Sequence, residues 1–174
     1  MQEHFKTVLT AGGKLNTLGG AREVLQVVLS DHSRLDELFD CLSDEDAWVR
    51  MRAVDTFEKV CREHPEWAQP YIGKLLRDIA ASDQPSIQWH LAEIFAEIEL
   101  TAEERQQATE IMKRNIATTE VDWIVAANCM KTLTAFARQG FVLASELIPL
   151  LQVQQNHHSK SVARKATQAL EELL

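Results

Sequence analysis

Apolar residues recur along the chain in three columns with a period of 37 or 38 residues. The first column is followed four and eight residues later by positions that are apolar in every repeat. The three columns are Val49, Ile87, Val125 and Val162; Ala53, Leu91, Cys129 and Ala166; and Phe57, Phe95, Leu133 and Leu170. Because four residues make about one helical turn, each segment is predicted to be an amphipathic helix with the same face buried.

Positions three and six residues after the first column are polar in every repeat and are therefore predicted to face solvent. These positions are Arg52, His90, Asn128 and Lys165, and Asp55, Glu93, Lys131 and Gln168. We call the helices that carry these columns the A helices.

A second set of apolar positions predicts another helix in each repeat, which we call the B helix. Its first column is Leu38, Leu75, Met112 and Leu150, and one turn later come Leu42, Ile79 and Ile116. Ser43 with Asp46 and Thr101 with Glu104 have the spacing of capping boxes. The combined signals predict helices at 2–10, 20–29, 32–42, 45–63, 70–81, 85–98, 102–117, 120–138, 142–154 and 160–174. The sequence therefore predicts an all-α chain of about four antiparallel helix pairs plus a terminal helix. Residues 1–19 are predicted to form an N-terminal helix and Gly-rich connector, and residues 20–174 a single repeat domain.

The first helices of several repeats resemble those of HEAT repeats. Residues 44–60, 82–98 and 158–173 carry the resemblance, and Asp46, Val49, Arg50 and Ala53 match the family pattern most closely. Gln88, Ala126 and Ala163 stand where arginine is usual, which would interrupt the Asp/Arg ladder of many HEAT arrays. The resemblance, closest to small bacterial HEAT-repeat proteins, implies a right-handed α-α superhelix. It leaves function open, since HEAT proteins include transport receptors, phosphatase scaffolds, assembly factors, alkylated-base DNA glycosylases and bilin lyases.

The charge balance and the cysteines indicate which kinds of partner and which cellular compartment the sequence favours. The 174 residues carry 26 acidic and 18 basic side chains, a net charge of −8, which disfavours nucleic acid as a partner. Three widely spaced cysteines fit reduced thiols of a cytoplasmic protein, and no apolar run is long enough to span a membrane. No motif predicts a cofactor. The connector GGKLNTLGG lacks the order of a phosphate loop, although its Lys14 and Asn16 are candidates for contact with a partner.

One B-helix column, Asp40, Arg77, Arg114 and Gln152, places two arginines on adjacent repeats. In a HEAT array the B helices line the concave groove, so Arg77 and Arg114, with Lys74 and Lys113 nearby, are predicted to bind an acidic peptide or a phosphate. The alternative is an ordinary solvated helix face.

Three of the four tryptophans, Trp48, Trp89 and Trp123, fall near the starts of A helices. Together with Arg52 they are candidates for a partner-binding surface, because interfaces favour Trp and Arg. The alternative is that each fills a different gap between repeats, since the three lie at different offsets within the repeat.

Metal and catalytic signals are weak. His90, Glu93 and Glu97 share one helical stripe, but a solvated polar stripe is the preferred interpretation, and the same holds for the loop pair His157 and His158.

The leading hypothesis is a non-enzymatic scaffold that binds a protein or peptide in its groove. The alternative is a HEAT-fold DNA glycosylase with Asp40 as its groove carboxylate, and a ligand-handling accessory is a third possibility.

Overall fold

The computed structural model describes residues 4–11 and 17–174, and within these ranges the secondary structure is helical with no β-strand. The α-helices are α1 (Phe5–Thr10), α2 (Ala21–Ser30), α3 (Leu35–Asp40), α4 (Ala47–Glu63), α5 (Ile72–Arg77), α6 (Pro85–Glu97), α7 (Ala102–Asn115), α8 (Trp123–Arg138), α9 (Ala144–Gln154) and α10 (Lys160–Leu173). The all-α prediction is confirmed. Lys14 and Asn16 lie outside the described residues, and the predicted domain limits stay a prediction.

Two of the predicted B helices are composites of α-helix and 3-10 helix. The segments His32–Arg34 and Cys41–Ser43 flank α3, and Pro65–Tyr71 and Ile79–Ala81 lie on either side of α5. Pro70, inside Pro65–Tyr71, explains part of this for the second composite, because proline donates no backbone hydrogen bond inside a helix. The predicted ranges 32–42 and 70–81 therefore place these helices correctly but overstate their α-helical length.

The apolar columns form the core. All twelve A-helix positions are buried, and so are six of the seven named B-helix positions. Leu150 is the exception: it is half-buried, and its neighbours Leu147 and Leu151 are buried in its place. The position one turn after Leu150 is Gln154, which is also buried, and its amide donates hydrogen bonds to the carbonyls of Ile116 and Thr118 at 2.9 and 2.8 Å.

The polar positions of the A helices are only partly exposed, which corrects the sequence-based prediction. Lys131, Lys165 and Gln168 are exposed, whereas Arg52 and His90 are buried. The remaining positions are half-buried: Asp55, Glu93 and Asn128. A polar residue at a repeated position therefore does not by itself indicate solvent exposure.

The helix starts show which capping predictions hold. Thr101 and Glu104 form the predicted capping box, with the Thr101 hydroxyl accepting from the Glu104 amide and the Glu104 carboxylate accepting from the Thr101 amide. The box predicted for Ser43 is wrong: Asp46 caps α4 by accepting a hydrogen bond from the Trp48 amide at 2.8 Å.

The chain divides into two compact units, Met1–His90 and Leu91–Leu174. In the first unit α1 and α2 pack on α4. Arg50 of α4 donates to the backbone carbonyls of Asp44 and Glu45 and to the side chain of Gln84. The arginine at this repeat position thus links neighbouring repeats through amide and carbonyl oxygens.

In the second unit α10 packs on α8 and α9, and α7 packs on α8. Successive repeats are tied by side-chain donors to backbone carbonyls: Thr132 donates to Ala92 at 2.8 Å, and His157 Nε2 lies 2.9 Å from the carbonyl of Val121. The predicted loop histidine His157 is thus buried and structural, whereas His158 is exposed.

All three cysteines are buried in the core, as predicted, and none forms a disulfide. Burial, with the nearby Asp44 charge as a smaller cause, raises the pKa of Cys41 to about 11, and burial raises the pKa of Cys129 to about 12. These two thiols therefore stay protonated at neutral pH and contribute packing rather than nucleophilic chemistry. Within the described residues, no helix combines the length and the apolar character that crossing a bilayer requires.

Candidate partner-binding site

The C-terminal end of α8 sets the position of an exposed aromatic residue. Gly140 has φ of 80°, and its amide donates to the carbonyl of Ala137, while the Phe141 amide donates to the carbonyl of Phe136. This pair of bonds is the Schellman motif, in which glycine supplies the left-handed conformation. The hydrophobic contact that accompanies the motif is also present, since the rings of Phe136 and Phe141 meet edge to face at 6.2 Å.

The start of α7 provides a cation for that aromatic ring. Arg105 donates to the carbonyl of Leu100 at 2.8 Å, just ahead of the helix, and its guanidinium lies 3.8 Å from the centroid of the Phe141 ring. A guanidinium over an aromatic face is attractive by about 0.5 to 2 kcal/mol. Arg105 and Phe141 therefore hold one another beside the capping box of Thr101 and Glu104.

A pocket of about 420 Å³ lies between α7, α9 and the segment 140–143. Two large apolar side chains at its edge are open to solvent: Phe141 is 49% exposed and Leu143 is 64% exposed. Thr109 lines the pocket as a buried residue. We call this feature the α7/α9 pocket; it combines exposed apolar side chains, a fixed guanidinium and a concave surface.

Lys113 lies in the same pocket but is already paired. Its ammonium contacts the carboxylates of Glu110 and Glu146. Burial by itself would lower the pKa of Lys113, but hydrogen bonds to Glu146 and Glu110 outweigh it, and the net effect is a raised pKa. An acidic partner would therefore have to displace two carboxylates before it could bind Lys113.

The other basic candidates are exposed. Arg77 and Lys74 lie on α5 in the first unit, and Arg114 lies on α7 in the second. Within the described residues no hydrogen bond or ion pair engages the side chain of Arg77 or Arg114. The Lys74 ammonium lies 5.7 Å from the centroid of the Phe39 ring.

The tryptophans occupy different environments. Trp123, the first residue of α8, is 52% exposed, whereas Trp48, Trp67 and Trp89 are half-buried. Trp67 stacks on the ring of His64 with centroids 3.9 Å apart, and Trp89 contacts the ring of His90 at 3.4 Å. Of the four, Trp123 offers the largest exposed fraction to a partner.

Arg52, predicted to border the tryptophan surface, is instead a buried structural cation. It is 3% exposed, donates to the carbonyl of Thr17 at 2.9 Å and also donates to the carbonyl of Leu9. Leu9 belongs to the last turn of α1, whose carbonyls have no partner inside the helix. Arg52 therefore caps α1 and cannot form part of an exposed binding surface.

His90, predicted to lie on a solvated stripe, is also buried. Its Nδ1 atom lies 3.5 Å from a carboxylate oxygen of Glu58, and both side chains are less than 5% exposed. Arg62 donates to the other oxygen of Glu58. Burial tends to raise the pKa of Glu58, but His90 and the charge of Arg62 overcome this and lower it, so the carboxylate is ionised in the folded protein.

A comparison with family models matches residues 15–173 to the HEAT repeat domain. The chain belongs to the HEAT repeat family. The match spans nearly the whole sequence, and it confirms the helical repeat that the period of 37 or 38 residues predicts. The comparison with curated proteins found no match to this chain.

Three residues of the α7/α9 pocket in this HEAT protein were not predicted from the sequence: Phe141, Leu143 and Arg105. A local signal was available: Gly140 is the second residue after the predicted helix 120–138, and a glycine at that place followed by an apolar residue is typical of a Schellman ending. Comparison of the repeated positions does not show this signal, because segment 140–143 connects two helices and has no counterpart in the other repeats.

Proposed function

We propose that this chain is a non-enzymatic HEAT-repeat scaffold that binds a protein or peptide partner, and that the α7/α9 pocket is its main contact. The observation that carries the proposal is the pair of exposed apolar side chains, Phe141 and Leu143, at the edge of a pocket that also contains Arg105. Exposed apolar side chains that cluster beside a concave surface are typical of interaction sites, and aromatic and arginine residues are enriched at interfaces.

The composition of the pocket indicates the chemistry of the partner. Phe141 and Leu143 favour an apolar anchor side chain, and the Arg105 guanidinium favours an acidic or carbonyl group next to that anchor. Glu110 and Glu146 surround Lys113 and would repel a strongly acidic segment at that end. The expected ligand is therefore a peptide with an apolar anchor and a single flanking acid.

The exposed arginines of the B helices are proposed as further contacts for acidic residues of the partner. Arg77 and Arg114 recur at the same position in successive repeats, and their side chains have no partner within the described residues. Lys113 is expected to contribute less, because its charge is compensated. Trp48, Trp89 and Trp123 remain candidates, with Trp123 the best placed by its exposure. Arg52 is not proposed as a contact, because its side chain is buried.

A cytoplasmic location is also proposed, supported by three buried cysteines that form no disulfide. The raised pKa values of Cys41 and Cys129 support the non-enzymatic interpretation for these thiols. The family membership supports a scaffold role at the level of the fold.

Site-specific photo-crosslinking in the native host tests the contact. A photoreactive residue at Gln106, which lines the pocket, should give one discrete product with a stoichiometric partner. The product should be lost when Phe141→Ser and Leu143→Ser are combined, because the apolar anchor site is removed.

The matched control is Leu18→Ser, which removes an apolar side chain of similar exposure, 46%, from the first unit. It should leave the crosslink unchanged. A product that survives the double change, or one that the control abolishes equally, would rule out the α7/α9 pocket as the contact. A separate charge reversal, Arg77→Glu with Arg114→Glu, tests the arginines: binding that survives it shows that they are not contacts.

A further inference from the structure

A second pocket of the Leu91–Leu174 unit lies between α8 and α10 and shares no lining residue with the α7/α9 pocket. Its volume is about 400 Å³, within the range of small-molecule sites. Four of its residues have small or flexible apolar side chains: Ala127, Met130, Ala135 and Ala169. The spacing of the lining residues on each helix is three and four, so each helix presents one continuous face to the pocket.

One polar side chain in this pocket lacks a partner. Thr134 is 6% exposed and lines the pocket, and its hydroxyl has no hydrogen-bond partner among the described residues. Other helical threonines of the chain show the usual solution, for example Thr56, whose hydroxyl donates to the carbonyl of Arg52. A buried hydroxyl without a partner costs about 1 to 3 kcal/mol. The hydroxyl oxygen itself is closed to solvent, so rotation of the Thr134 side chain toward a ligand oxygen in the pocket would recover part of that free energy.

The border of the pocket is cationic in a protein whose net charge is −8. Lys131, Arg138 and Lys165 line it against one acid, Glu172. Arg138 pairs with Glu172 at 3.3 Å, and the exposed Lys131 has a long contact of 3.6 Å with Glu93. Lys165 is exposed and has no ion pair within the described part of the chain. A negative group is therefore attracted to this side of the second unit.

We propose that the α8/α10 pocket binds a small amphipathic carboxylate. Its apolar part would lie on Met130 and the three alanines, and its carboxylate would accept hydrogen bonds from Lys165 and Thr134. An apolar pocket with a few placed polar groups is the usual composition of a small-ligand site, and charge-assisted hydrogen bonds give it its orientation. This site is independent of the protein contact proposed above.

Decanoate is a suitable probe, with decan-1-ol as its uncharged counterpart. Titration of the full-length, isotope-labelled protein with decanoate should shift backbone amide resonances of α8 and α10 with a saturable affinity, and decan-1-ol should bind at least fivefold more weakly. Equal binding of the two probes would overturn the proposed recognition of the carboxylate, and the absence of saturable shifts up to millimolar decanoate would overturn the site.

Two variants separate ligand binding from folding. Lys165→Glu should weaken decanoate binding at least fivefold, whereas Lys160→Glu, an exposed change on the same helix outside the pocket, should leave it unchanged. Thr134→Val keeps the shape of the side chain and removes the unpartnered hydroxyl. It should raise the midpoint of thermal unfolding and weaken decanoate binding about two- to tenfold, the equivalent of one hydrogen bond.

Decanoate affinity that is unchanged in both pocket variants would contradict the proposal. So would tight binding of an acidic amphipathic helical peptide to α8 and α10 in a protein that does not bind decanoate, since that result would make this surface a protein contact.

Discussion

Replacement of Arg52 by methionine should detach the N-terminal helix and lower stability. Methionine keeps much of the apolar volume of the arginine stem, but it donates no hydrogen bond to the carbonyls of Leu9 and Thr17. Hydrogen bonds from a charged donor contribute about 1.5 to 3 kcal/mol each, or roughly 3 to 6 kcal/mol for two. Because the variant also avoids the cost of burying a charge, we expect a net loss of about 3 kcal/mol.

The size of the effect depends on whether α1 unfolds alone or with the rest of its unit. The six-residue helix is held at its other end by Glu37, which accepts a hydrogen bond from the Phe5 amide at 2.7 Å. If α1 opens locally, the main signature is faster amide hydrogen exchange in this helix. If it opens together with α4, the urea midpoint falls by about 1.5 M, taking an m-value of about 2 kcal/mol/M.

Urea unfolding and amide hydrogen exchange measure these two outcomes. The matched control is Arg22→Met, an exposed arginine on α2, which should change the free energy of unfolding by less than about 0.5 kcal/mol. If Arg52→Met has as small an effect as the control and leaves the protection of α1 unchanged, the assignment of Arg52 as a structural cap is wrong.

Three further changes test individual contacts. Because the pKa of Glu58 is lowered in the folded state, its carboxylate contributes stability that is present above its ordinary value of about 4.5 and is lost as the pH falls below it. Glu58→Gln should therefore lose more stability relative to wild type at pH 7 than at pH 3, and an equal difference at both pH values would contradict this; the exposed Glu171→Gln is the control. Gly140→Ala should cost about 1 to 2 kcal/mol in urea unfolding, because φ of 80° strains a residue with a Cβ atom, and an unchanged midpoint would show that the helix end relaxes. Gln154→Met should lower the free energy of unfolding by about 1 to 2 kcal/mol, since two carbonyls lose their donor, and a gain in thermal stability would refute that reasoning.

The fold was predictable from the sequence because burial repeats with the helical period. Val49 and its counterparts in the other repeats occupy the same place in the core, so one column locates four helices. Helix ends were also predictable where a side chain caps the backbone, as Thr101 does. The 3-10 segments were not, since they depend on local backbone geometry in Pro65–Tyr71 and similar stretches rather than on periodicity.

The buried polar residues show what the repeated sequence positions do not predict. Arg52 and His90 occupy the same repeated position as Lys165, which is exposed. What differs is the neighbour: Arg52 contacts the end of α1 and His90 contacts Glu58 from another repeat, whereas Lys165 has no ion pair within the described residues. Sequence periodicity reports which face of a helix a residue occupies, but not what covers that face.

The candidate site was less predictable than the fold. Arg77 and Arg114 are exposed as the sequence suggested, but Lys113 is already paired, and Phe141 and Leu143 lie in a connection that no repeat position predicts. Their exposure becomes evident only when the packing around Arg105 is known.

The most direct test of the central claim is an affinity measurement with the crosslinked partner in purified form. Isothermal titration calorimetry with the full-length chain should show that Phe141→Ser combined with Leu143→Ser weakens binding at least tenfold, while Leu18→Ser has no effect. Because loss of a central anchor typically costs about 2 kcal/mol or more, a change of less than threefold in the double variant would contradict the assignment of the α7/α9 pocket as the binding site.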